Sequence, residues 1–443
     1  MFHTQNGRLS RPATIEKLPL ELLHEIFLIH AARRLPANTA QVLCSVCWDW
    51  RNLTLQIPDL WTNVVVHGEG GRPHIPILAI WSKRSGDQPL HISIWNCRYL
   101  ELEADCSLTV EEQECYLRDV FKILCPQIHR WQSFTLSIPP EFAPLCDEIP
   151  MEDAVMLKYV NMDMTYWDAI EGEFAIGMLA LIPALRSLTI TEDVGEFDGF
   201  PELYSEPWGT ILGLDLGWER DWEVATTWII HLCTSALWMK LDSTGVFRYP
   251  DNDLVTILPN LRLLSISGWS IGMFRWIYSL DCPKLSIFHV FFQHEYELKE
   301  GTSDRFARLV TFLGGQQHNI RSFKMEFITT ELHEAEMIAI LKACLIRDMP
   351  SVEVQVGPGG WENRDIGEFF RQLTLAKQQD TSLSKLRLVT HSISGEGVYL
   401  KIGWSSNEAQ AVDAILEEWD GISRDDLVNM MPDLILGTEL LLQ

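Results

Sequence analysis

Two cysteines stand at a spacing that could support chemistry, in the stretch CSVCWDW at residues 44–50. Two residues separate Cys44 from Cys47, which is the spacing of a zinc knuckle and of a thiol–disulfide redox motif. Trp48 and Trp50 lie in the same stretch, so it could instead be an apolar surface that packs internally or contacts another protein. The neighbouring residues decide between these possibilities.

Neither kind of thiol chemistry finds the partners that it requires. A structural zinc site takes four ligands, and Cys97, Cys106 and His67 do not supply a second C-x-x-C or H-x-x-H pair. A thioredoxin-like pair opens a helix after a strand, whereas here a helical pattern already precedes the cysteines. We therefore interpret the stretch as a packing surface, and we predict no metal site and no cofactor.

Other motifs of catalytic type are incomplete. HEYE at residues 294–297 lacks the second histidine of a zinc-protease helix, and GPGGW at 357–361 is not followed by the Lys and Ser/Thr of a phosphate loop. The G-x-S-x-G elbow of serine hydrolases does not occur. We therefore predict no catalytic residues and a chain that is not an enzyme.

Composition and charge argue against two classes of partner. With 47% hydrophobic and 22% charged residues, the 443-residue chain has the composition of a folded protein. A net charge of -26 would repel a phosphate backbone, so we expect no nucleic-acid partner; the acidic surface would favour basic partners or serve solubility. No apolar run reaches the roughly 18 residues of a membrane span, and no secretory signal begins the chain. We expect a cytoplasmic or nuclear protein without membrane contact.

The N-terminal sixty residues predict a small helical unit. Apolar residues three and four apart in LPLELLHEIFLIH predict a first helix, with Pro19 in its first turn. A second helical pattern runs through Leu43, Cys47 and Trp50, so that both cysteines can lie on one helix. The segment PDLW then predicts a turn, and Val64–Val66 predict a strand.

Three pieces of this unit together resemble an F-box, the helical motif that docks on the Skp-type adaptor of Skp-cullin-F-box ubiquitin ligases. The pieces are LPLELLHEIF, VCWDWRNL and PDLW, in this order within residues 18–61. The segment HAARRLPANTAQ between the first two is longer than in compact F-boxes. The matching positions that the resemblance assigns to adaptor binding are Leu18, Pro19, Leu22, Ile26, Val46, Cys47, Trp50, Leu60 and Trp61.

A unit of this size has too little interior to be stable by itself. Its apolar residues are therefore expected to divide between a small core and the groove of a partner, in the helix-in-groove mode of recognition. The alternative is that they only fill a core against the following part of the chain.

A short pattern of three apolar residues, L-x-x-L-x-L, recurs along the rest of the chain. Successive copies start 24 to 35 residues apart, which is near the period of leucine-rich repeats. The starting residues are Trp131, Leu157, Leu185, Ile211, Ala236, Leu261, Leu285, Ile320, Met349 and Leu383. The Asn or Cys that usually follows the third apolar residue is mostly missing, so the repeats are irregular.

Helical patterns lie between several of these copies, at residues 226–235, 272–280, 304–315, 332–347 and 368–377. Strand and helix therefore alternate, and each unit would bury its apolar residues against the next. The expected fold is α/β: a short N-terminal helical F-box followed by an irregular leucine-rich-repeat-like solenoid with a parallel sheet. The strand-facing side chains of such a binding surface would include Lys158, Arg186, Asp215, Lys240, Ser265, His289 and Lys324.

Four regions follow from these patterns: an F-box at 14–66, a linker helix and first strand at 67–120, the solenoid at 121–403 and a C-terminal helical cap at 404–443. GEGGRP at 68–73 is expected to be a hinge, and residues 101–114 and 191–207 acidic loops. The arrangement is similar to the large F-box families of mushroom-forming fungi.

The resemblance implies a substrate-receptor subunit, which would bind the Skp-type adaptor, and through it a cullin ligase, and hold an unidentified target protein on the repeats. The alternative is a scaffold for protein–protein interaction that has no role in ubiquitin transfer. In that case the F-box-like helices would only cap the solenoid.

Overall fold

The computed structural model describes residues 18–32, 39–68, 71–95, 108–164, 167, 177–191, 208–218, 230–243, 255–268, 276–292, 302–315, 319–327, 334–347, 349, 351–356, 387–394 and 397–405. Within them the protein is a mixed α/β fold built on one large, mainly parallel sheet. No helix in the described ranges is long and apolar enough to span a membrane.

Three short helices begin the described chain: α1 (Leu20–Ala32), α2 (Thr39–Val46) and α3 (Trp48–Gln56). A 3-10 turn (Pro58–Trp61) follows them. Pro19 starts α1, because its carbonyl accepts the N–H groups of Leu22 and Leu23 at 3.1 Å. Pro19 thus lies directly before the first residue of α1, where its missing N–H costs little.

The prediction of one helix through both cysteines is wrong. Cys47 has an extended backbone (φ -157°, ψ 174°) and separates α2 from α3. Its Sγ accepts the N–H of Trp50 at 3.5 Å and so caps α3, which supplies a partner for one of the free N–H groups of that helix. Cys44 lies near the end of α2 and Cys47 at the corner between the two helices.

Thirteen of the described strands form one sheet, in the order β1-β2-β3-β4-β5-β6-β7-β9-β11-β12-β13-β15-β14. Its first seven strands are β1 (Asn63–His67), β2 (Leu90–Trp95), β3 (Trp131–Ser137), β4 (Tyr159–Asp163), β5 (Ser187–Thr191), β6 (Gly213–Trp218) and β7 (Trp238–Ser243). The others are β9 (Leu263–Gly268), β11 (Ile287–Phe292), β12 (Ser322–Phe327), β13 (Ser351–Val356), β14 (Arg387–Ser394) and β15 (Gly397–Ser405). A second pair, β8 (Thr256–Ile257) and β10 (Leu280–Asp281), lies outside this sheet.

Every pairing from β1 to β13 in this sheet is parallel, and the strands also follow one another in the order of the chain. The nine copies of the apolar pattern from Trp131 to Met349 all form strands of this sheet. In eight of them the strand begins at the third residue of the copy; in the first it begins at Trp131 itself. The tenth copy differs, because β14 pairs antiparallel with β15.

The two faces of the sheet differ in polarity because successive side chains of a strand point to opposite sides. One face is apolar and buried along the whole parallel part, and it forms the main core. One register row of this face consists of Val64, Ile92, Phe134, Val160, Leu188, Leu214, Met239, Leu264, Phe288, Phe323 and Val352.

Helices and 3-10 turns connect the strands. The helices are α4 (Ile75–Arg84), α5 (Val110–Leu124), α6 (Thr302–Gly314) and α7 (Glu334–Ile346). The turns are Cys125–Arg130, Pro140–Glu148, Met151–Asp153 and Trp208–Thr210. The helices expected at 304–315 and 332–347 correspond to α6 and α7. Of the helix expected at 226–235, residues 230–232 are described as helical, and of the helix expected at 272–280, residues 276–278 are. The helix expected at 368–377 lies outside the described residues.

The prediction of an acidic loop at 101–114 is wrong from residue 110 onward, where α5 begins. Thr109 Oγ1 accepts the N–H of Glu112 at 3.3 Å, and Glu112 Oε2 accepts the N–H of Thr109 at 2.8 Å. This is a capping box, so the acidic residues belong to a helix start that they stabilise. The second expected acidic loop covers residues 191–207. Its first residue, Thr191, is the last residue of β5, and residues 192–207 lie outside the described residues.

The N-terminal helices and the sheet share side chains. A small core of buried residues contains Trp81 of α4, and Arg84 of the same helix places its guanidinium 4.6 Å from the ring centre of Trp61. The full set is Leu23, Phe27, Ala40, Leu43, Ile57, Leu60, Trp61 and Trp81. Strand β1 begins two residues after Trp61 and pairs with β2. It is therefore the first strand of the large sheet, although most of it falls in the region 14–66 that is predicted as the F-box.

The described part of the expected hinge is held on both sides. His67 and Arg72 exchange backbone hydrogen bonds of 2.6 and 3.0 Å, and Tyr116 Oη of α5 donates to the carbonyl of Pro73 at 2.8 Å. Gly71 has φ +55°, a conformation that favours glycine. The segment therefore forms a fixed turn at residues 71–73 and not a free joint.

A buried arginine links the end of α4 to the start of β3. Arg130 donates to the carbonyl of Gln88 from Nε at 3.0 Å and from Nη2 at 2.6 Å, and to Ser85 Oγ at 2.8 Å. Its Nη1 also donates to Gln127. The turn between α4 and β2 is thereby tied to the residue that precedes β3.

The sheet changes direction at its C-terminal end. β15 lies between β13 and β14 and is antiparallel to both. The strand expected from VYLKIGW is present as β15, which extends to Ser405. The helical cap expected at 404–443 lies outside the described residues except for Trp404 and Ser405, which belong to this strand.

Candidate docking surface on the N-terminal helices

Helix α1 carries two adjacent apolar faces. Leu23 and Phe27, one turn apart, are buried in the small core. Leu22 and Ile26, also one turn apart, remain 51% and 44% exposed, and Ile29 extends the same exposed row. The apolar arc of α1 is therefore wider than the core beneath it covers.

Helix α2 repeats this division. Ala40 and Leu43 are buried in the same core, while Val42 and Val46, one turn apart, are exposed. Val46 is 54% exposed. Both helices thus leave apolar side chains in water, at positions next to those that face the core, and this is the pattern of a surface that meets a partner.

The corner between α2 and α3 does not have the properties of a redox site. Cys44 is partly buried, and burial raises its pKa more than the charges of Arg84 and Arg51 lower it. Its carbonyl accepts a hydrogen bond from Arg51 Nε at 3.0 Å. A reactive thiol needs a lowered pKa, and the raised pKa of Cys44 does not meet this condition. Within the described residues no three His, Cys, Asp or Glu side chains are placed to hold a metal ion.

Two residues that the resemblance assigns to the adaptor are interior. Leu60 and Trp61 are only 7% and 4% exposed, and Trp61 Nε1 donates to the carbonyl of Thr54 at 3.0 Å. Because their side chains are enclosed by the unit's own helices and by α4, they do not reach a partner's surface in this structure. Both side chains belong to the small core.

Leu18 and Trp50 occupy an intermediate position. Leu18 packs partly buried against the small core. Trp50 contacts Phe27 edge to face, with ring centres 4.8 Å apart, and so packs α3 against α1. Pro19 and Cys47 are exposed. Of the nine assigned residues, the exposed apolar ones on the helices are therefore Leu22, Ile26 and Val46, with Pro19 beside them.

Sequence reasoning missed further exposed apolar residues in the same unit. Leu20, Ile29, Val42, Trp48 and Leu55 are all exposed, and none is among the residues assigned from the motif. The available signal was the width of the apolar arc on each helix, since a small core cannot cover a face that spans half of a helix. Motif matching does not use this signal.

The second face of the sheet carries polar side chains in register. One row consists of Ser93, Thr135, Asn161, Thr189, Asp215, Lys240, Ser265, His289, Lys324 and Glu353. Five of the seven residues expected on the strand-facing surface lie in it. Lys158 and Arg186 do not, because β4 and β5 begin one residue after them; Asn161 and Thr189 take their places.

The charges in this region of the sheet are partly paired. Lys240 Nζ lies 3.5 Å from Asp215 Oδ2, and Lys324 Nζ lies 3.7 Å from Glu326 Oε2. His289 meets Phe291 edge to face, and burial, together with the charge of Lys324, lowers the pKa of His289 to about 4. The imidazole is therefore neutral at pH 7, and this row offers hydrogen bonds and paired charges.

Comparison with known proteins adds no family to this description. No protein-family model matches the chain, and no curated protein matches its sequence.

Proposed function

We propose that the protein is a substrate-receptor subunit of a Skp-cullin-F-box ubiquitin ligase. Its N-terminal helices would bind the Skp-type adaptor as an F-box, and the remaining strands and helices would form an irregular leucine-rich-repeat-like solenoid that holds a target protein. Such a subunit acts by proximity, because it raises the effective concentration of the target's lysines near a ubiquitin-charged enzyme. It needs no active site of its own.

The observation that carries this proposal is the exposure of Leu22, Ile26 and Val46. These residues match the F-box pattern, yet they stand in water, while their neighbours Leu23 and Phe27 are buried. A unit that served only to pack against the sheet would not need apolar side chains on its outer side. Two helices that expose apolar rows fit a partner groove instead.

The parallel sheet supports the second half of the proposal. Strands that follow one another in the chain are neighbours in the sheet, and each unit buries its apolar face against the next. This is the behaviour of repeat arrays. The polar row across the strands would then contribute to a surface for a protein target.

The test is adaptor binding by the full chain. We expect the double variant Leu22→Asp/Ile26→Asp to lose binding to a recombinant Skp-type adaptor in isothermal titration calorimetry. Because both side chains are exposed, the variant should keep the circular dichroism and the melting temperature of the native protein. Leu181→Asp, at an exposed leucine of the repeat region, is the matched control and should bind normally.

Failure of the native chain to bind the adaptor would contradict the proposal, and so would normal binding by the double variant. Failure of the native chain to bind favours the second candidate function, a scaffold in which the helical unit caps the sheet. The contacts of Trp81 and Arg84 with this unit favour that alternative, since they join it to α4.

A further inference from the structure

Trp48 is the most exposed large apolar side chain among the described residues, with 71% of its surface in water. It does not belong to the F-box pattern, which the neighbouring residues Val46, Cys47 and Trp50 match. Tryptophan is strongly enriched among the residues that dominate the binding energy of protein interfaces, because it buries a large area and loses little side-chain entropy. An indole left in water at this position therefore requires an explanation.

The backbone places Trp48 next to the exposed residues of α2. Cys47 between them is extended and separates the two helices. Val46 and Trp48 are exposed on either side of it, so exposed apolar side chains continue across the corner. Leu55, which is two helical turns further along α3, lies on the same outer face and is also exposed.

Trp48 is not among the residues of α3 that pack against the small core. The opposite side of the helix, with Trp50, Leu53 and Thr54, faces the small core. The outer face with Trp48 and Leu55 points away from that core. Because 71% of its surface is exposed, Trp48 contributes little to the packing of the helical unit.

The corner that carries Trp48 is held in place. The Sγ of Cys47 accepts the N–H of Trp50 at 3.5 Å, and Arg51 donates from its N–H to the carbonyl of Cys47 and from Nε to the carbonyl of Cys44, each at 3.0 Å. A fixed backbone reduces the entropy that the anchor loses on binding. The geometry suits a residue that docks in a pocket.

We propose that Trp48 is the anchor that determines adaptor affinity in this chain, with Leu55 beside it. It would insert into an apolar pocket of the Skp-type adaptor that has a hydrogen-bond acceptor at its rim for the indole N–H. The inference rests on the proposed function, and it extends the docking surface from α1 and α2 to the outer face of α3.

The experiment compares single variants of the full chain in calorimetric titrations with a recombinant Skp-type adaptor. Trp48→Ala should raise Kd about 30-fold or more, as for an interface hot spot, and should leave the melting temperature unchanged. Trp48→Phe should recover most of this loss, while Leu55→Ala should cost roughly threefold. Tyr278→Ala removes an exposed aromatic from the repeat region and should leave Kd unchanged.

The outcomes separate this inference from the proposed function. If Leu22→Asp/Ile26→Asp abolishes binding but Trp48→Ala binds normally, the docking proposal stands and the role of Trp48 is wrong. If the native chain does not bind the adaptor, the proposed function fails and this inference fails with it. If sedimentation shows that Trp48→Ala abolishes only a self-association of the chain, the surface joins two copies and the inference is overturned.

Discussion

Trp238 of β7 lies flat against the backbone of Gly213 on the neighbouring strand β6. A Cβ added at Gly213 would overlap the Cε2, Nε1 and Cζ2 atoms of the indole. The two residues face each other in register on the sheet face opposite the main core. Only glycine leaves room for the ring here, so the pair fixes where Trp238 packs.

We expect Gly213→Ala to destabilise the protein by about 1–3 kcal/mol, because the methyl group forces the indole or a strand to move. The measurement is the midpoint of urea unfolding followed by circular dichroism. Gly314→Ala is the matched control, since Gly314 ends α6 and an added Cβ there meets no atom within 4 Å. That control should be neutral or gain up to about 1 kcal/mol. Equal effects of the two variants would contradict the packing argument.

His289 should make the protein sensitive to mild acid. Its pKa is lowered to about 4 by burial and by the charge of Lys324, whereas in the unfolded chain it is about 6.5. The unfolded state therefore binds more protons between these values, and stability falls as the pH drops from about 6.5 to 4, by at most roughly 3 kcal/mol.

His289→Gln keeps the polarity of the side chain but removes the titration. We expect urea unfolding midpoints of this variant to change less between pH 7 and pH 5 than those of the native chain. A parallel dependence on pH in the two proteins would show that other groups dominate the response in this range.

At the scale of elements, Arg130 joins α4 and β2 to the start of β3. Its guanidinium is buried and is satisfied mainly by Gln88, Ser85 and Gln127. Because the donors of an arginine form a rigid fork, no other side chain can reach the same set of acceptors. Helix α4 also carries Trp81 and Arg84, which contact the N-terminal unit, so this clamp fixes the element on which that unit rests.

Arg130→Met should destabilise the protein by about 1–3 kcal/mol, because it removes the donor from the buried Ser85 hydroxyl and from the partly buried acceptors of Gln88 and Gln127. Hydrogen exchange should show the largest loss of protection in α4 and in the turn after it. Arg186→Met is the control: Arg186 is exposed and makes one bond of 3.3 Å to the carbonyl of Thr210, so its removal should cost less than about 0.5 kcal/mol. Comparable losses in both variants would refute the clamp.

At the scale of the whole molecule, the helical unit is not independent. Its core of eight buried residues includes Trp81, which belongs to α4 and therefore follows the first strand of the sheet. The ring of Trp61 is covered by Arg84 from the same helix. An N-terminal fragment that stops before α4 lacks both contacts.

We predict that residues 1–68, produced alone, do not fold. Their circular dichroism should lack a cooperative thermal transition, and amide resonances should be poorly dispersed, because the remaining core is too small. In the full chain, Trp81→Ala should reduce hydrogen-exchange protection in α1 more than in β4 to β6. A fragment that melts cooperatively would show that the helical unit stands by itself.

Much of the sheet could be predicted from the sequence, because the spacing of three apolar residues records which side of each strand is buried. The copies at Ala236 and Met349, which look weak alone, still form strands β7 and β13. The polar row was predicted less well. The residues that lie in the row occupy the fifth position of their copies, whereas Lys158 and Arg186 occupy the second position, which precedes the strand.

The exposed apolar surface of the helical unit could be predicted only in part. Leu22, Ile26 and Val46 follow from the motif, but a motif does not distinguish an exposed residue from a buried one, as Leu60 and Trp61 show. The break at Cys47 was hidden for a related reason: a single extended residue does not interrupt the spacing of apolar side chains. The spacing of Thr109 and Glu112 is that of a capping box and indicates the start of α5. The acidic composition of the segment indicates a loop instead, and that prediction is wrong from residue 110 onward.

The reversal of strand direction at the C-terminal end restricts how this protein can change in length. A parallel array grows when one more unit adds a strand in the same direction, but beyond β13 the next position is taken by β15, which runs the opposite way. A duplicated unit placed after the β14–β15 hairpin could extend the sheet only from β14, which the antiparallel β15 separates from the parallel strands. New units can therefore be accommodated between β3 and β13, so gene duplications that lengthen this array should be internal.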